Sequence, residues 1–213
     1  MMSDILDRRS RKRLETRRAI LRAASDLFAE KGFDNVTIDE IASAADVGRM
    51  TVFNHYPRKE DMFFATDDEI RDTLAEALRQ RKEADSPIES LRLLAHRLVA
   101  EQRPFLQFSE NSQGFIAMIN ASETLKARAR AIRDEVANGI AAELALGAGL
   151  TEPDADAGLA AALLVATWSA ALTQAHKEYQ LTRDPARAAA TFLELVDRGA
   201  VGQKAALGGT LYA

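Results

Sequence analysis

The chain has 213 residues, no cysteine and a net charge of −4, which is long enough for one or two domains with a buried core. Its 47% hydrophobic and 28% charged content is that of an ordinary soluble protein, and the missing thiols exclude disulfides, cysteine-held zinc or iron–sulfur centres and a thiol nucleophile. The start, MMSDILDRRSRKR, has no apolar signal-peptide core, and the apolar run GLAAALLVATWSAAL (158–172) is shorter than the roughly 18–20 residues of a membrane span, so a cytoplasmic protein is expected.

The charge is unevenly placed. Arg8, Arg9, Arg11, Lys12, Arg13, Arg17, Arg18 and Arg22 face the single acid Glu15, a local excess that is the electrostatic footprint expected for phosphate contact. Strand alternation is absent and helical periodicity runs throughout. Ile20, Ala24, Leu27 and Phe28 share one face of a helix over about 10–31, ended by Gly32. Thr37 and Glu40 form a capping-box pattern that starts a second helix, whose apolar face holds Ile38, Ile41, Ala42 and Ala45. A third short helix covers about 49–56 and stops before Pro57.

The spacing predicts a longer helix over 59–83, marked by Phe63, Ile70, Leu74 and Leu78. Ser86-Pro87-Ile88-Glu89 combines an N-cap with proline at the first helical position, and that helix should end near Gln102. Leu125, Ala129, Ile132, Val136, Ile140 and Leu144 stripe a further helix closed by Gly147 and Gly149. Two more helices are predicted over about 153–181 and 184–198, followed by a Gly/Ala-rich tail expected to be loosely held.

The second and third helices, joined by Asp46-Val47-Gly48, fit a helix-turn-helix, which lays its second helix in the DNA major groove. Asp46 tolerates the left-handed backbone that the turn needs, and Gly48 is an acceptable N-cap. Val47, Val52 and Tyr56 read as core, leaving Arg49, Met50, Thr51, Phe53, Asn54 and His55 on the exposed face.

On these residues the sequence resembles the tetracycline-repressor (TetR) family of bacterial transcriptional regulators. The segments that carry the resemblance are AILRAASDLFAEKGFDN, VTIDEIASAADVG and TVFNHYPRKEDM, within residues 16–62. The resemblance implies an all-α protein, with a helix-turn-helix domain over 1–60 and a helical effector-binding and dimerisation domain over 61–213. By position it implies phosphate contacts from Thr37, Thr51, His55 and Lys59, base contacts from Arg49 and Met50, and a phosphate or groove clamp in the basic arm around Arg11 and Arg13. The chain departs from the family pattern at Asp46, Gly48, Met50 and Phe53; without a tyrosine hydroxyl, Phe53 is left to pack on sugar or a thymine methyl.

A seven-residue recognition helix is only about 10 Å long, so specific control requires two copies spaced by about one DNA turn, hence a homodimer. The apolar helix around 156–176 and the last helix are expected to form that interface through Ala161, Leu164, Ala171, Phe192 and Val196. Gln102, Arg103, Phe105, Phe108, Phe115, Met118, Ile119 and Trp168 have the composition of an apolar ligand pocket, and also that of an ordinary core. The run MINASETLKARARAI (118–132) resembles family members whose C-terminal domains take acyl-CoA-like ligands, which points to a small hydrophobic effector. The expected mechanism is release: an effector tilts the 59–83 helix and changes the spacing of the recognition helices. No cofactor and no metal are expected.

Two other classes stay open. An enzyme would need chemistry that the scattered His55, His96 and His176 do not offer by metal-ligand spacing, and neither a phosphate-cradling Gly loop nor a nucleophile elbow is present. The alternative is a helical ligand-binding or adaptor protein with a degenerate DNA-binding segment.

Overall fold

The computed structural model describes residues 2–65, 67–82 and 85–213, with side chains from residue 10 onward except 67 and 68. The described residues form α-helices, one short 3-10 turn and no strand. The helices are α1 Met2–Lys31, α2 Ile38–Ala44, α3 Arg49–His55, α4 Lys59–Phe63, α5 Asp67–Arg79, α6 Pro87–Ala100, α7 Glu110–Ala121, α8 Glu123–Gly147, α9 Ala155–Thr182 and α10 Pro185–Ala206. They divide into two compact units, Met1–Ala65 with Met118–Arg128, and Thr66–Ala117 with Ala129–Ala213.

The first unit is built on an apolar face of α1. Ile20, Ala24 and Phe28 are nearly inaccessible, as are Phe33, Val36, Ile41, Val52, Tyr56 and Met62. Fully burying a side chain of this size contributes roughly 1.5–3 kcal/mol, which is why helices as short as α2 and α3 persist. Phe28, Phe33 and Phe63 form a cluster with ring centres 5.1–6.1 Å apart in tilted or edge-on contacts. Residues 118–128 complete this unit. Leu125 is fully buried, and the buried Ser122 both caps α8, accepting from Leu125 N at 3.3 Å, and donates to Asp34 Oδ1 at 2.8 Å.

The predicted 59–83 helix is broken in two, since α4 ends at Phe63 and α5 begins at Asp67. At the other end α1 reaches back to Met2, so the basic arm is helical. The side chains of Arg8 and Arg9 lie outside the described residues.

The second unit packs α5, α6, α8, α9 and α10 around one core. Asp154 caps α9 by accepting from Ala157 N at 2.7 Å, and Arg183, at φ 55°, ends it. Asp184 and Pro185 then start α10 at once. The predicted short apolar run lies in a 28-residue helix that is, by length and composition, long and apolar enough to cross a membrane. Its Ala157, Ala161, Leu164, Trp168, Ala171 and Ala175 are instead the buried centre of this unit, with Trp168 edge-on to Phe192 at 5.8 Å. The tail also departs from expectation. Helix α10 continues to Ala206, and Leu207 and Tyr212, at 0% and 1% exposure, return into the core because two large apolar groups outweigh the looseness of the intervening glycines.

Candidate nucleic-acid interface

Thr37 caps α2 with its side chain. Its Oγ1 accepts from Glu40 N at 3.2 Å, and Glu40 Oε2 accepts from Thr37 N at 2.8 Å. The Lys31 ammonium completes the cap on Glu40 Oε1 at 2.8 Å. That cation, with the two Thr37 donors, lowers the Glu40 carboxyl to about 2. Helix α2 closes through Asp46, left-handed at φ 52°, while Val47 N donates to Ala42 O at 3.0 Å. Gly48 is the extended N-cap of α3 and offers no side-chain bond.

Val52 and Tyr56 anchor α3 at 0% and 2% exposure. Gly48, Arg49, Met50 and Asn54 face solvent, with Thr51, Phe53 and His55 half-buried beside them. Met50 is 69% exposed. The Arg49 guanidinium pairs with Asp39 at 3.0 Å and lies 5.5 Å from the Phe53 ring centre. At the other end of α3, burial first, then Arg13 and Arg17, lower the His55 pKa below its ordinary 6.5. Arg17 itself lies over the Tyr56 ring at 5.0 Å. Arg11 and Arg13 are exposed on α1, and Arg13 and Arg17 of α1 act electrostatically on the His55 ring of α3.

Lys59 is the exception. Its ammonium donates to the Phe33 and Val36 carbonyls at 2.8 and 2.9 Å and lies 4.2 Å from the Phe33 ring centre. Burial lowers its pKa, opposed by Asp34 and Glu60. Expected at a phosphate, it is turned inward because the loop after α1 leaves two carbonyls without helical donors. Asp39, by contrast, is not legible in the sequence as a site residue, since an acid ten residues before Arg49 carries no local signal.

The expected ligand residues are spread over both units. Phe108 is core, edge-on to the His176 ring at 5.1 Å, and Trp168 is spent on Phe192. Gln102 is exposed at φ 52°, Arg103 is paired with Glu69, Phe105 is half-buried against the core, and Phe115 is exposed. Met118 and Ile119 belong to the first unit and the other six to the second. A groove of about 760 Å³ runs instead along α5 and α6, lined by residues such as Asp72, Glu76, Arg81 and Arg97, and none of the eight contributes. The residues expected at the dimer interface lie within the protomer core. Ala161, Leu164, Ala171, Phe192 and Val196 are at most 5% exposed within their own protomer, because they are the large or close-packed groups that join α9 to α10. The exposed residues of α9 include Leu159, Ala162, Ala166 and Ala170.

Residues 20–66 match the family described as bacterial regulatory proteins, tetR family. It is in this N-terminal segment that the chain resembles the TetR family. It is 30% identical over 83 residues to the transcriptional regulator TcmR of Streptomyces glaucescens, covering 39% of this chain and 37% of TcmR. It is 34% identical over 106 residues to the transcriptional repressor BepR of Brucella suis, covering 50% of each. The chain thus spans half or less of the length of these curated relatives. The fold extends further: the structure of SmeT of Stenotrophomonas maltophilia in complex with triclosan aligns over 90% of both chains at TM-score 0.54 and 21% identity. The all-α architecture, an N-terminal helix-turn-helix followed by a helical domain, is that of the TetR-like structures.

Proposed function

We propose that this protein is a DNA-binding transcriptional regulator, a homodimeric repressor that a small hydrophobic effector releases from a palindromic operator. The observation that carries the reading is the presentation of α3. Val52 and Tyr56 fix its inner face, and Arg49, Met50 and Asn54 project outward beside Arg13, Arg17 and His55. Base edges need the first group and phosphates the second. One recognition helix reads too few bases alone, and two copies at half-sites a turn apart solve this. The α9 stripe Leu159, Ala162, Ala166 and Ala170 suits close approach by a second copy.

The effector half rests on the second unit and on likeness. SmeT, the repressor of a multidrug efflux pump, forms a complex with triclosan. An effector that changes DNA affinity 5- to 150-fold requires a coupling of only about 1–3 kcal/mol. The reading is one of binding in the cytoplasm, with no catalytic step and no cofactor. Among the described residues no cluster of three or more His, Asp or Glu is placed to hold a metal ion.

The test is a selection from a randomised duplex pool with purified protein at near-physiological salt. Enrichment of a palindrome with half-sites about one turn apart supports the reading. Weak, salt-sensitive binding without enrichment favours the adaptor alternative with a degenerate DNA-binding segment.

A further inference from the structure

We infer that Asp39 is a specificity-determining residue, holding the Arg49 guanidinium for a guanine and withholding it from the phosphate backbone. This rests on the DNA-binding reading above. Arg49 is the first residue of α3 and Asp39 lies in the first turn of α2. Arg49 Nη1 donates to both Asp39 carboxylate oxygens, at 3.2 and 3.0 Å, while the guanidinium carbon stands 5.5 Å from the centre of the Phe53 ring, one turn along α3. A carboxylate at one nitrogen and a ring against the plane restrain a side chain that otherwise swings on a long flexible stem.

Stability does not account for the arrangement. Arg49 and Asp39 are 59% and 65% exposed, and exposed pairs of this kind contribute little. Recognition does account for it. With Nη1 engaged, the Nε and Nη2 donors remain as a parallel pair, which is the geometry that matches guanine O6 and N7. The carboxylate also cancels the charge, so the Arg49–Asp39 pair adds nothing to counterion release. Asp39 therefore weakens binding to DNA in general and leaves Arg49 useful only where two acceptors are correctly placed. An unpaired Arg49 would settle on a neighbouring phosphate.

Asp39→Asn, which keeps shape and removes charge, is the discriminating variant, with Asp39→Glu as the conservative one. Each is measured on sheared mixed-sequence duplex DNA across a salt series, and by selection from the randomised pool. The expected result for Asp39→Asn is severalfold tighter binding to mixed DNA, a log–log salt slope steeper by about 0.9, and loss of a guanine preference at one half-site position. Asp39→Glu should restore the parent slope. Phe53→Leu should blur the guanine preference and leave the slope alone, since the charge remains cancelled. A merely structural Asp39 would lower affinity for every sequence through misfolding, visible by circular dichroism, without steepening the slope. That result, or a folded Asp39→Asn with the parent's slope and guanine preference, overturns the inference alone. A folded parent that enriches no sequence, whether or not it binds DNA weakly and salt-dependently, overturns the regulator reading, and this inference with it.

Discussion

The Lys59 ammonium donates to the Phe33 carbonyl at 2.8 Å across 26 residues of sequence, and to Val36 O at 2.9 Å. It joins the start of α4 to the loop between α1 and α2, in the same unit as the recognition helix. Hydrogen bonds from a charged donor contribute about 1.5–3 kcal/mol. Lys59→Met should therefore destabilise the protein by about 2 kcal/mol, discounted for partial access of water to the two carbonyls. Urea unfolding followed by circular dichroism measures it. At temperatures where the variant is folded, DNA affinity and its salt slope should match the parent. Normal stability combined with uniformly weaker binding would return Lys59 to the phosphate role.

Lys59 also marks where the sequence stops being informative. Local patterns were readable: the Thr37–Glu40 cap, the left-handed Asp46 and the Ser86-Pro87 start all depend on residues within a turn of one another, and each is present. What depends on distant partners was not. No periodicity announces that two carbonyls at 33 and 36 await an ammonium at 59. Nor does it announce that Tyr212 fills the core beside Ile88 and Leu144, or that Ser122 meets Asp34. The packing of α9 is illegible for a related reason: an all-round apolar helix declares that it is covered but not which side its own protomer covers, and Ala161, Leu164 and Ala171 lie in the protomer core.

The environment of His55 sets a pH dependence. Burial, Arg13 and Arg17 lower its pKa below 6.5, so the free protein resists charging the ring. For folding, the unfolded chain then binds more protons below pH 6.5, and stability falls as pH drops through that value. A phosphate beside the ring reverses the balance by favouring the charged form. DNA binding should therefore take up a proton, and affinity should rise as pH falls from about 7.5 to 6. Fluorescence anisotropy with a duplex recovered by selection, in buffers of fixed ionic strength, reads this directly. His55→Asn should flatten the dependence. An unchanged dependence in that variant would place the titrating group elsewhere.

Gly199 lies against Thr167 where α10 meets α9, and a Cβ there would overlap Thr167 Cγ2. The same threonine accepts from the buried Gln203, Nε2 to Oγ1 at 2.9 Å, and Gln203 Nε2 also donates to Leu163 O at 3.3 Å. Thr167 therefore has little freedom to turn aside. Gly199→Ala should cost about 1–3 kcal/mol from overpacking, even though alanine is the better helix former by up to about 1 kcal/mol. Thr167→Ser removes the methyl and keeps the hydroxyl, so it should recover part of the loss in the Gly199→Ala background. The chain's single tryptophan, Trp168, is the neighbour of Thr167, so its fluorescence during thermal unfolding reports on this contact. If Gly199→Ala melts at or above the parent temperature, helix propensity outweighs packing and the two helices are free to move apart at this point.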